Sequence, residues 1–158
     1  MNSDSMQKLK HILVITILLI SCQSIKETKT TTEEAKIILE LKRGACYGTC
    51  PIYTFTLDTN KKVNYHAKRF TEPLGLFEWH LSRREYNQIV NLMEEEISHG
   101  NIENNLNALD LPLMSLKYYS AGDTLQVKCK GSCPEGMKNK IRKIETILFR
   151  NASWNFPE

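Results

Sequence analysis

The feature that most constrains this chain is a six-residue pattern that occurs twice. Residues 46–51 read Cys, Tyr, Gly, Thr, Cys, Pro, and residues 129–134 read Cys, Lys, Gly, Ser, Cys, Pro. Each copy adjoins a segment with strand character, so the same local turn is expected at both places, with Gly48 and Gly131 free to adopt positive φ. No longer repeat accompanies the two copies, so the echo is one of turns and not of domains. Four cysteines permit three disulfide pairings, and sequence does not choose among them. Pairing Cys46 with Cys50 and Cys129 with Cys133 would pin two turns. Cross-pairing would close a loop of roughly 80 residues, worth on the order of 4 kcal/mol in the entropic account.

The amino-terminal segment says which redox compartment these cysteines meet. Lys8, Lys10 and His11 precede an apolar run from Ile12 to Ile20, then Ser21 and Cys22, the charge, core and small-residue order of a secretory signal. A run of roughly 9 apolar residues falls short of the ~20 that cross a bilayer as a helix. Leu19, Ile20, Ser21 and Cys22 resemble the bacterial lipobox. That resemblance implies diacylglycerol on the Cys22 sulfur, cleavage before it and further acylation of the new amine. Residues 1–21 are therefore expected to be a removed lipoprotein signal peptide. Two or three acyl chains anchor stably where one does not, so the membrane is a partner through the lipid on Cys22. Residues 22–35 carry almost nothing apolar to bury and read as lipidated cysteine plus solvated tether. The address is the cell envelope, on the outer or inner membrane, with the domain outside the cytoplasm. An exported chain with an even number of remaining thiols favours disulfides.

Removing residues 1–21 takes Lys8, Lys10 and Asp4 with it, so 21 basic and 18 acidic residues become 19 and 17. A near-balanced charge with both signs interspersed predicts no strong electrostatic partner and no nucleic acid. Lys138, Lys140, Arg142 and Lys143 form a basic cluster on a predicted helix and read as its solvated face. Residues 36–158 have the usual size of one domain with one core.

Within that domain, Lys36 to Leu41 reads as a strand. Pro51 to Leu57 alternates Ile52, Thr54 and Thr56 against Tyr53, Phe55 and Leu57, and Val63 to Ala67 follows after the turn residues 58–61 as its hairpin partner. Leu74 to His80 is a further candidate strand. Ser82 and Glu85 form a capping box, behind which Tyr86, Ile89, Val90, Met93 and Ile97 recur at helical spacing through residues 82–97. Asn101 to Asp110 reads as loop. Leu113 to Tyr119 and Asp123 to Lys128 make a second hairpin. Pro134 opens a last helix with Met137, Ile141, Ile144 and Leu148 on one stripe. The expected fold is α+β: an antiparallel sheet of about five strands built from hairpins, with two helices packed on one face. Trp79, Phe149 and Trp154 read as core or lid residues. Glu94, Glu95 and Glu96 read as a solubilising run.

The stretch Gly44, Ala45, Cys46, Tyr47, Gly48, Thr49, Cys50, Pro51, Ile52, Tyr53, with the hairpin after it, resembles the opening of the bacterial DUF6438 family. Asp110 with Pro112, the two helices and the late Trp154 also fall where that family's pattern places them. The family is a domain of unknown function, so the resemblance implies a fold and an exported habitat and no reaction. The second pair, Cys129 and Cys133, departs from the family's general pattern.

Three functional classes follow from the cysteines. With Cys46, Cys50, Cys129 and Cys133 in disulfides, the domain is a stapled binding module for an envelope protein or small ligand, with no cofactor and no catalytic residue. On that reading, the sheet face free of helices, with Thr54, Thr56 and Tyr65, is the expected contact surface. As thiolates, Cys46, Cys50, Cys129 and Cys133 could offer four sulfurs to Zn²⁺, or two of them to a soft ion such as Cu⁺, with His66, His80 or His99 completing a site. As an oxidoreductase, Cys133 before a helix start would be the reactive thiol. No GxSxG, HExxH, phosphate loop or paired-carboxylate motif nominates an active site, so no enzyme is expected.

Overall fold

Alternating apolar residues set the faces of the sheet. The computed structural model describes residues 35–150 and Ala152. The signal segment, Cys22, nearly all of the tether and Trp154 lie outside the described residues. In chain order the elements are β1 (Ile37–Arg43), β2 (Ile52–Asp58), β3 (Lys62–Arg69), β4 (Gly75–His80), α1 (Arg83–Glu94), a short 3-10 turn (Ile97–His99), β5 (Ile102–Asn104), β6 (Leu113–Ser120), β7 (Asp123–Lys130) and α2 (Glu135–Arg150). The strands form one sheet in the order β4-β3-β2-β1-β6-β7-β5.

The α+β class with two helices agrees with expectation, but the sheet has seven strands and is mixed. The added strand is β5, which lies in the Asn-rich stretch expected to be loop and pairs parallel to β7, Ile102 against Val127 and Asn104 against Cys129. A strand of three residues with one apolar side chain is too short to show a period, so its pairing comes from tertiary placement.

Tyr53, Phe55 and Leu57 on β2 and Val63, Tyr65 and Ala67 on β3 all point into the core, as do Leu39, Leu41, Leu116, Leu125 and Val127. Ile89 and Met93 of α1, with Met137, Ile141, Ile144, Ile147 and Leu148 of α2, complete the same cluster. Phe55 sits at its aromatic centre. It stacks on Tyr65 with centroids 4.5 Å apart and meets Phe149 edge-on at 4.9 Å and Trp79 at 6.1 Å. Trp79 is thus a core residue. Tyr65 is too, which corrects its placement on the open face: register pairs it with Phe55, and the open face carries Thr54, Thr56, Asn64 and His66.

Local chemistry fixes the connections. The Asp58 carboxylate accepts from the backbone N–H groups of Asn60 and Lys62 at 2.8 and 2.9 Å, closing the β2–β3 turn. The capping box forms as read: Ser82 Oγ accepts from Glu85 N at 3.3 Å, and Glu85 Oε2 accepts from Ser82 N at 3.0 Å. α1 ends at Glu94, three residues short of the expected end, and the chain tightens into the 3-10 turn before Gly100 at φ 66°.

Phe55→Ala empties the centre of the aromatic cluster and should destabilise the domain by about 3–5 kcal/mol. Urea unfolding should show a lower midpoint with an unchanged slope.

Candidate functional site

Pairing along the sheet brings the two cysteine motifs to one end. Arg43, the last residue of β1, lies opposite Tyr53 on one side and Met114 on the other, and Met114 lies opposite Cys129. The β1–β2 connection carrying Cys46 and Cys50 therefore emerges beside the β7–α2 connection carrying Cys129 and Cys133. Both pairs are joined locally, Cys46 to Cys50 with Cα atoms 5.8 Å apart and Cys129 to Cys133 at 5.3 Å. Of the three possible pairings the structure has the one that pins two turns.

The two turns are not copies of each other. The first joins two strands and the second joins a strand to a helix. Gly48 has φ 138° and Gly131 φ 74°. At Gly131 glycine suits the site for a second reason besides its positive φ, because a Cβ there would run into the Leu111 side chain. Cys129 is fully buried in the core, whereas Cys133, immediately before Pro134, and both Cys46 and Cys50 are half-buried.

A strap formed by Asp110, Leu111, Pro112 and Leu113 ties the turns together. Gly44 N donates to Leu113 O at 2.7 Å, Tyr47 N to Asp110 O at 3.3 Å, and Gly131 N to Pro112 O at 3.0 Å. From β5, Asn104 Nδ2 donates to Ser132 O at 3.0 Å, adding a side-chain tie to the second turn. Tyr47, Leu109 and Leu111 project from this region with 90%, 88% and 42% of their surface exposed. Tyr47 belongs to the first cysteine motif, whereas the only sequence signal for Leu109 and Leu111 is that they are apolar residues flanking Asp110 beside a stretch rich in Asn.

Between the staples, Arg43 makes a two-pronged pair with Glu145 of α2, Nε to Oε1 and Nη2 to Oε2 both at 2.7 Å, and Tyr53 Oη donates to Glu145 Oε1 at 2.8 Å. Burial works against the Arg43 charge, yet the Glu145 carboxylate outweighs it and leaves the guanidinium pKa raised. Burial, followed by the Glu145 charge, pushes the Tyr53 phenol well above its ordinary value. Two clefts flank this pair. One, of about 270 Å³, is lined by Arg43, Gly44, Cys50, Pro51, Tyr53 and Pro112. The other lies on the second staple and shares Arg43 and Pro112 with the first.

Other candidate residues lie elsewhere. His66 is exposed on the open sheet face opposite Thr54, His80 ends β4, and His99 lies in the 3-10 turn with Nδ1 3.6 Å from Glu96. Among the described residues no group of three or more His, Cys, Asp and Glu side chains is arranged to hold a metal ion. Each disulfide also removes the thiolate that a soft metal would require. The acidic run Glu94–Glu96 does more than solubilise: Tyr118 Oη donates to Glu94 at 2.6 Å, tying the end of α1 to β6, and Lys140 Nζ lies 2.6 Å from Glu95 and 2.7 Å from Glu96, tying the residues just after α1 to α2.

The family model described as a domain of unknown function, DUF6438, matches residues 37–148. No curated protein matches the chain.

A tryptic digest without reduction should hold Cys46 and Cys50 within one peptide and link two peptides through Cys129 and Cys133, because Lys130 separates the latter; a peptide joining 46 or 50 to 129 or 133 would refute the local pairing. Tyr53 and Tyr118 both have raised phenol pKa values, each chiefly through burial. Above the ordinary phenol range near ~10 the unfolded chain loses protons that the folded chain keeps, so stability falls as pH rises. Tyr53→Phe and Tyr118→Phe should each flatten that fall, read as the difference in urea midpoint between about pH 8 and about pH 11.

Proposed function

From the premise that the chain belongs to the DUF6438 family, a domain of unknown function, we propose a cell-envelope lipoprotein whose stapled domain is a binding module. Lipid on Cys22 holds it at its membrane, residues 23–35 act as the tether, and the domain works outside the cytoplasm by contact and not by catalysis.

The observation that carries this reading is the combination of exposure and rigidity at the stapled end. Tyr47 is exposed inside the Cys46–Cys50 loop with its N–H bonded to Asp110 O, and Leu109 and Leu111, which flank Asp110, expose apolar surface beside it. An exposed apolar cluster on fixed backbone is the usual mark of a contact surface, and order already present in the free protein lessens the entropy lost on binding. Tyr also combines a large apolar area with a polar tip, the composition favoured at interface centres. The open sheet face has a different character. Leu76 and Tyr119 are exposed there too, but they stand among the Glu40–Lys42 and Lys62–Glu78 pairs, at 2.8 and 2.7 Å, and the threonines and Asn64, a mostly polar setting that suits a solvated surface. We therefore place the contact surface at the stapled end and not at Thr54 and Thr56. A thiolate metal site would need at least one disulfide reduced first, and a four-sulfur site both, which an oxidising envelope opposes.

Two tests separate address from contact. Metabolic labelling with a radioactive fatty acid should label the wild type and not Cys22→Ser; a wild type that takes up no label would refute lipid anchoring. In the full lipidated chain, Tyr47→Ala combined with Leu109→Ser should reduce native cross-links to envelope partners by about tenfold or more, the loss expected of a binding hot spot. Cross-links unchanged by both substitutions would sink the proposed surface.

A further inference from the structure

The second cleft has an unusual lining. It occupies about 230 Å³ on the helix side of the stapled end, with Met114, Ile141 and the Cys129–Cys133 disulfide among its apolar walls. Its charged lining residues are Arg43, Lys138 and Arg142, and none is acidic. Arg43 enters already fixed by Glu145. Lys138 leans 3.3 Å from Glu135, while Arg142 is exposed and has no ion pair among the described residues. The cleft also lies beside the first turns of α2, whose backbone dipole presents its positive end there.

We propose that this cleft binds a small oxyanion-bearing group, a carboxylate or a phosphate, with Arg142 and Lys138 as its mobile cations and Arg43 as the fixed one. Size supports this assignment, since the cavity falls below the roughly 300–1,000 Å³ of pockets that enclose drug-sized molecules. It would admit a charged terminus and not a whole ligand. Glu145 occupies the Nε and Nη2 donors of Arg43 and so fixes the guanidinium plane, which leaves the Nη1 N–H groups in one set direction to donate to a planar or tetrahedral oxyanion. The apolar floor excludes water and strengthens each charged contact. The basic cluster on α2 is thereby divided: Arg142 and Lys138 face the cleft, while Lys140 is engaged with Glu95 and Glu96.

This site is separate from the Tyr47 surface, and the substitutions that test it leave Tyr47, Leu109 and Leu111 unaltered, so either proposal can fail without the other. The full chain in detergent micelles would be titrated with inorganic phosphate, followed by phosphorus NMR line width, and with N-acetyl-alanyl-alanine and its amide, followed by saturation transfer. At least one anion should bind and the amide should not; Arg142→Gln and Lys138→Gln should each weaken binding about tenfold, as expected for loss of one hydrogen bond to a charged group. Phosphate binding alone would assign the cleft to a phosphorylated group, and dipeptide binding alone to a terminal carboxylate. Absence of binding by both anions, equal binding of acid and amide, or affinity indifferent to both substitutions would overturn the proposal. Unchanged thermal unfolding of the two variants would confirm that any loss is local to the cleft.

Discussion

The structure depends on the place of β1. It pairs with β2 on one side and with β6 on the other. Strands β2, β3 and β4 form a meander of neighbours in sequence, and β6, β7 and β5 form the other half. The backbone ladder from Leu39–Arg43 to Met114–Tyr118 is what joins the halves. Such a contact closes a long loop before it gains any stabilisation, which makes it the costly step in assembling the sheet. Once made, it carries the end of β1 to the ends of β6 and β7, and every feature of the candidate site follows from that juxtaposition.

The Arg43–Glu145 pair reinforces the same junction from the helix side. Buried ion pairs rarely add much net stability, because desolvation offsets attraction. Here the fork geometry, with Tyr53 Oη donating to the same carboxylate, fixes where α2 lies over β1 and β2. Removing one member would leave the others partly buried and without their partner, and the fixed geometry makes the triad more a registration device than a source of stability.

Sequence made the local structure legible where a period or a cap was long enough to read. Tyr53, Phe55 and Leu57 alternate with Ile52, Thr54 and Thr56, and the structure buries the expected set. Ser82 and Glu85 start α1 as their spacing requires. Tyr65 is legible too, since Val63, Tyr65 and Ala67 alternate with Asn64, His66 and Lys68, and this period within one strand puts Tyr65 on the core face rather than the open one. β5 was missed because three residues carry no period, and its parallel pairing with β7 is purely tertiary. The candidate site was legible only in part. The cysteine motifs were evident, but their convergence, the strap at 110–113 and the partnership of Arg43 with Glu145 all require the β1–β6 pairing, over a separation that no local rule spans. Glu94–Glu96 was read as solvated for the same reason, since its partners Tyr118 and Lys140 come from other elements.

Each disulfide spans a sequence separation of only 4. Closing so short a loop restricts the unfolded chain little, worth about 2 kcal/mol in the entropic account against more than 4 for a cross-link between distant segments. Neither bond reaches across the sheet, so oxidation and folding are largely independent events in the life of this chain. A cysteine whose partner lies in its own turn can find it in the nascent polypeptide, before the sheet exists. Correct pairing then needs no shuffling among the three possible arrangements. The half-buried Cys46 and Cys50 can join before or after the sheet forms, whereas Cys129, buried in the core, has to meet Cys133 before the core closes over it.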